Sequence, residues 1–291
     1  DKLFTLAIGI LGDLAAEINR NNEKSALING RQQDLIFSAH FFDAYLQSKL
    51  NEDLDPYLIL LGAASYYLCD LPGSSMVLAK QLGSACPNIE GDGLEDLLLW
   101  LLQGDLSSYL DGSEGPFGKQ VDSISYQLFQ FFEDGTGIDK LFNMSTKLRS
   151  DVYNFGTPRQ LLFGDVIAAI LEKKYFNSSW HSIPLYSGID SEKWLHALQK
   201  KSFIKELWPA QHLIGKAGVL LGKSAVVQMP TSAGKTKATE LIIRSAFLAD
   251  RTSLTVIVAP FRALCHEIKN SLVNAFHNEN IKIDELSDVQ Q

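Results

Sequence analysis

The spacing of apolar residues changes character once along the chain, near residue 203. Before that point apolar positions recur every three to four residues, as on one face of a helix. Leu3, Ala7, Ile10, Leu11, Leu14 and Ile18 predict a helix over residues 1–20. After a polar, Asn-rich break at 19–25, Leu35, Phe37, Phe41, Phe42, Tyr45 and Leu46 predict a second over Arg31 to Leu50. Asp55 is placed as N-cap of a third helix, with Pro56 at its first position, where a missing N–H costs nothing. Gly62, Ala63 and Ala64 lie in the middle of that helix and let a neighbour approach closely. Leu71-Pro72-Gly73 should end it, and Ser74 or Ser75 should cap a fourth helix through Leu82. Further helices are expected at 120–133, 136–150 and 158–173, and no alternating β-branched run of strand length occurs before about residue 220. Residues 1–200 therefore read as all-α.

Two stretches, 57–82 and 94–110, read as helix, short turn, helix. The pair resembles a degenerate tetratricopeptide hairpin repeat, although Tyr66 follows Leu61-Gly62 one residue late for that pattern. An irregular helical bundle accounts for the same residues. Residues 177–190, NSSWHSIPLYSGID, read as a polar connector carrying the domain hinge, after which Ser191 caps another helix. From Phe203 onward the pattern becomes helix, strand, loop, helix, strand, helix, strand, which signals an α/β unit. Ala225–Val227 and Ile281–Ile283 are short strands, and the β-branched run Ser253–Pro260 has the look of a strand buried on both faces. The fold class is thus α + α/β, with an all-helical domain at 1–190 and an α/β domain beginning at 191–291.

The stretch Ser224–Thr239, SAVVQMPTSAGKTKAT, carries the chemistry. Strand, glycine-containing loop and helix follow one another, which is the setting of a phosphate-binding loop. Gly234 lets the backbone pass where a Cβ would intrude, and the amides of the first helical turn point at an anion. Lys235 would reach the β- and γ-phosphates, and the Thr236 hydroxyl would ligate Mg²⁺. Pro230, Thr231, Ser232 and Ala233 complete the loop around ATP. The general pattern G-x-x-x-x-G-K-[ST] asks for glycine at the first position, where this chain has Met229.

Composition narrows the partners. Hydrophobic residues make up 46% and charged residues 21% of the 291, as in a globular protein with room for two domains. The apolar N-terminal run carries Asp1, Asp13 and Glu17 without a basic leader, so it reads as an amphipathic helix and not a signal sequence. No window suits a membrane span, and a cytoplasmic location is expected. Cys69, Cys86 and Cys265 have no C-x-x-C spacing and the six histidines no ligand spacing, which argues against a disulfide framework or a zinc site. Residues 1–200 hold 15 Lys+Arg against 26 Asp+Glu, a net of −11; residues 201–291 hold 11 against 8, a net of +3. Nucleic acid is therefore expected to meet the C-terminal part, and a protein partner the acidic helical part.

Pro230–Thr236, PTSAGKT, resembles the first motif of superfamily 2 DEAD/DEAH-box helicases, in particular the Ski2-like branch. A non-glycine at the position of Met229 is ordinary in that branch. Leu207-Trp208-Pro209-Ala210-Gln211 is similar to the Q motif, which implies that Gln211 hydrogen-bonds adenine. Ala259–Glu267 is similar to motif Ia, which implies that Pro260, Arg262 and the following helix end contact a nucleic-acid backbone. A helix N-terminus and an arginine both favour phosphate. The resemblance covers about residues 203–291, and an N-terminal helical region on such a core is reminiscent of bacterial antiphage defence helicases that act with a nuclease.

The DExH or DExD carboxylate box of that family does not follow motif Ia before Gln291. Asp284, Glu285 and Asp288 lack its spelling and read as a solvated loop. The first residue is not Met, so the chain reads as the N-terminal part of a longer or trimmed protein, binding nucleotide weakly without turning it over. The expected parent is an ATP-dependent helicase or translocase on single-stranded DNA or RNA. The alternatives are a P-loop ATPase switch and a scaffold whose helical domain recruits a protein.

Overall fold

The computed structural model describes residues 2–20, 31–49, 52–84, 86–229 and 234–286. The chain divides into two compact units, Asp1–Phe176 and Asn177–Gln291. Among the described residues the first is built wholly of helices: α1 (Lys2–Arg20), α2 (Arg31–Ser48), α3 (Asp55–Leu68), α4 (Pro72–Ala79), α5 (Leu94–Gln103), α6 (Gly118–Asp134), α7 (Ile138–Phe155) and α8 (Pro158–Asn177).

Helix α3 is the core of this unit. Every residue from Tyr57 to Leu68 is buried, because α1, α2, α4 and α5 all pack on it. The small residues in its middle are what admit them. A Cβ added at Gly62 would lie 2.9 Å from the Leu78 side chain of α4 and 3.3 Å from Phe42 of α2. Asp55 stands inside the first turn and not at the cap, which is Leu54. Pro72 likewise opens α4 with Leu71 as cap, so neither Ser74 nor Ser75 has the capping role expected of it.

Buried acids close the unit's loops. Glu95, 4% exposed, accepts the backbone N–H groups of Ile89, Gly91 and Gly93 at 2.9–3.4 Å, shaping the turn before α5. Asp165 on α8 accepts Arg149 Nε and the Tyr153 hydroxyl of α7, each at 2.7 Å, while Asn19 of α1 donates to its backbone carbonyl at 2.9 Å. The expected second helix at 105–110 does not form. Gly104 leaves α5 in the left-handed region, Asp105 accepts from the Ser107 amide, and Trp100 Nε1 donates to Ser108 O. Side chains satisfy this backbone locally, so it gains nothing by coiling, and the helix-turn-helix unit of 57–82 is not repeated at 94–110.

The second unit holds α9 (Ser179–Ser187), α10 (Ser191–Leu198), α11 (Pro209–Lys216), α12 (Lys235–Leu248) and α13 (Arg262–Ala275). The expected connector at 177–190 is mostly α9. Ser178 caps it by accepting from the His181 amide, and Gly188 ends it left-handed with its N–H on Pro184 O. An isolated antiparallel bridge between Ser178 and Glu206 ties this segment to the approach to α11. Asp190, not Ser191, stands at the cap of α10.

Two apolar clusters meet on α12. Ala238 and Leu241 join Ile183, Trp194, Leu198, Phe203, Leu207, Ile214 and Leu220 in the larger one. Ile243 faces the other way, into a small cluster with Leu272, Ala275 and Phe276. The segments expected as strands, 225–227, 253–260 and 281–283, are not helical and form no ladder among the described residues. A parallel strand needs neighbours on both edges and cover on both faces, and here Val226, Val256 and Val258 stand exposed.

Candidate functional site

The stretch expected to bind phosphate leads into α12. Gly234 adopts φ +79°, and a Cβ there would sit 2.5 Å from Gln211 Nε2. Glycine is needed twice over, for the backbone angle and for the approach of that amide. Lys235 and Thr236 are the first two residues of α12 and are exposed, beside backbone N–H groups that the helix itself cannot satisfy. Pro230, Thr231, Ser232 and Ala233 lie outside the described residues. Met229 packs partly buried against the larger apolar cluster, which gives a side chain a use at the position where the general motif has glycine.

Gln211 is 3% exposed. Its Oε1 accepts the Trp208 amide at 2.6 Å and its Nε2 donates to the Gly234 carbonyl at 3.4 Å. It therefore closes the N-terminus of α11 and joins that helix to the end of the phosphate loop. Sequence reasoning singled out Gln211 for contact with a base; its two bonds inside the protein came only with the fold.

Helix α11 is held from behind by groups that sequence reasoning passed over. The Tyr186 hydroxyl and His212 Nδ1 are 2.9 Å apart, and His212 Nε2 is 3.1 Å from Asn177 Oδ1. The Tyr186 ring lies so close to α11 that a Cβ at Gly215 would be 2.3 Å from it. Gly215, within an otherwise regular helical stretch, was the available sign of such a close approach. Burial pushes the Tyr186 phenol above its usual range.

Pro260 and Arg262 are exposed at the start of α13, with Phe261 extended as its N-cap. The C-terminal half of this helix packs on α12 through Leu272 and Ala275. Asp284 and Glu285 are engaged with Lys282 at 2.8 Å and His266 at 3.6 Å, and Asp288 lies outside the described residues. Among the described residues no group of three or more His, Cys, Asp or Glu could hold a metal, and no helix is long and apolar enough to cross a membrane. At the entry to α12 a left-handed glycine precedes a lysine and a threonine of the first helical turn, where backbone N–H groups have no partner within the helix and the helix dipole favours negative charge.

Residues 209–291 match the DEAD/DEAH box helicase family. The chain is 28% identical to Hachiman protein HamB of Bacillus cereus over 195 residues, 61% of this chain and 17% of that protein. It is 37% identical to the ATP-dependent DNA helicase Hel308 of Thermococcus kodakarensis over 68 residues, 23% of this chain and 6% of that protein. The chain thus spans a small part of the length of these relatives. The resemblance to superfamily 2 helicases holds for the segment that contains Gln211, Lys235, Thr236 and Arg262. The Hachiman match covers 61% of the chain, more than the whole of the second unit, so it reaches into the helical unit as well.

Proposed function

We propose that this chain is part of an ATP-dependent helicase or translocase, in which the entry to α12 binds the nucleotide. The observation that carries the reading is Gly234, left-handed at the mouth of α12 within the helicase-like segment. Lys235 neutralises charge on the β- and γ-phosphates and the loop amides hold them. Thr236 supplies a hydroxyl to Mg²⁺, which when bound spreads the phosphates' charge. Gln211 would hydrogen-bond the adenine edge. Pro260 and Arg262 grip a single strand of DNA or RNA at the N-terminus of α13.

The test is ATP hydrolysis by the full-length parent, with and without single-stranded DNA or RNA, beside Lys235→Ala. Stimulation by one nucleic acid, lost in the variant, is expected. A rate indifferent to both would overturn the motor reading in favour of an ATPase switch. The 291-residue chain alone is expected to bind nucleotide without hydrolysing it, and measurable turnover would refute that.

A second reading concerns the helical unit. Residues 1–176 carry 13 Lys+Arg against 24 Asp+Glu, a net of −11. That balance favours a protein partner over nucleic acid. The reach of the Hachiman match into this unit supports treating it as a lasting companion of the helicase-like segment, and the partner we propose for it is a nuclease in antiviral defence. Co-purification of a defined protein with residues 1–176, lost on reversing several exposed acids, would establish it; stable binding to oligonucleotides would overturn it.

A further inference from the structure

Five charged side chains of alternating sign run along α12 and across to the end of α13. Lys237 donates to the Ser202 carbonyl at 2.7 Å and pairs with Glu240 at 3.2 Å. Glu240 accepts Arg244 Nε at 2.9 Å. Arg244 Nη1 meets both oxygens of Glu279 at 2.8 Å, and its Nη2 donates to the Ala275 carbonyl at 2.6 Å. Lys200 pairs with Glu279 in turn and donates to the carbonyls of Ala275, at 3.1 Å, and His277, at 2.9 Å.

Arg244 is the middle of this chain and is 3% exposed. Its guanidinium lies 4.1 Å from the Phe276 ring centre and 5.6 Å from that of Phe203. All three guanidinium nitrogens donate, an arrangement that lysine cannot reproduce. The apolar contact beside it is slight, four buried residues, whereas the larger cluster, to which Phe203 also belongs, packs α12 against α9, α10 and α11. Lys200 and Arg244 also place positive charge at the C-terminus of α13, where its carbonyls are unsatisfied.

We propose that Arg244 is a positioning residue: it fixes α13, and with it Arg262, onto the helix that begins with Lys235 and Thr236. Its removal releases α13 while the nucleotide end of α12 stays in place. The inference rests on the reading of α12 and α13 as nucleotide-binding and nucleic-acid-binding helices, but its mechanical part stands apart from that reading and is measured separately.

The experiment uses the whole 291-residue chain with Arg244→Met, and with Glu279→Gln as the milder change should the first variant fail to fold. Hydrogen exchange is expected to speed up about tenfold or more in α13 and to stay unchanged in α11 and the N-terminal half of α12. Affinity for a fluorescent ATP analogue is expected to hold within about twofold, while affinity for a fluorescein-labelled dT15 strand falls about fivefold or more. Unchanged protection of α13, or equal loosening of α11, would overturn the proposal. Parallel loss of both affinities would overturn it too. If the native chain binds neither probe, the nucleotide and strand reading fails by itself, and the exchange pattern still decides whether Arg244 positions α13.

Discussion

The two units bury charge for opposite ends. In the helical unit Glu95 finishes a turn by collecting three loop amides and Asp165 joins two helices adjacent in the chain, α7 and α8, while α3 loses almost all contact with water. In the second unit a line of ion pairs runs from one element to another, from the partly exposed Lys237 through buried Glu240 and Arg244 to Lys200, and the apolar runs at 225–227 and 253–259 stay in the open. One unit satisfies itself. The other holds its helices by an apolar cluster and by ion pairs, beside apolar segments that have no cover among the described residues. The contrast teaches that the part carrying the motif is the part whose packing is least complete.

The comparison can be broken most forcefully at α3. Leu61→Ala removes a fully buried side chain and is expected to cost the helical unit about 2–5 kcal/mol by urea denaturation. A loss below about 1 kcal/mol would mean that α3 is not the core. Asp165→Asn is expected to cost less, about 1–3 kcal/mol, because Arg149 keeps some access to water. At the other unit, Lys235→Ala should weaken binding of an ATP analogue about tenfold or more, with thermal stability unchanged, since the side chain is exposed. Equal affinity in the variant would detach α12 from the nucleotide.

A smaller effect is expected from pH. Burial raises the Glu279 carboxyl, but hydrogen bonds from Lys200 and Arg244 outweigh it and hold the group below its ordinary value. A depressed folded-state value means that stability is present above the unfolded carboxylate range and is lost as pH falls through the folded value. Protection of α13 should therefore weaken on acidification below the ordinary Glu range, and Glu279→Gln should flatten that dependence. The smallest effect is expected at Val258→Lys, within about 0.5 kcal/mol, because the residue is exposed already. A marked loss of stability there would show that the run is covered in solution.

Most helices were legible from periodicity. The helices α1, α2, α6, α7 and α8 fell within a few residues of the expected bounds; the first four bury one face each, while α8 is buried all round from Phe163 to Leu171. Helix α9 escaped because its composition is polar and Pro184 suggested a break; the cap Ser178 and the stop Gly188 were the better guides. The helix expected at 105–110 was lost to side chains that bond the backbone where it stands. The left-handed Gly234 and the helix start at Lys235 were readable because both are local to one turn of chain. The bond from Gln211 to Gly234 and the ion pair of Lys200 with Glu279 span 23 and 79 residues, and no spacing rule foretells them.

Helix α12 serves two cores at once, and this has a consequence for mutational tolerance. A helix with one buried stripe accepts nearly any soluble residue on its far side. Here Ala238 and Leu241 are claimed from one direction and Ile243 from the other, with Glu240 and Arg244 engaged by ion pairs. Saturation mutagenesis across its fourteen residues should therefore find permissive positions confined to a narrow strip that includes Thr239. A reporter dye meant to follow nucleotide arrival without disturbing it belongs on that strip.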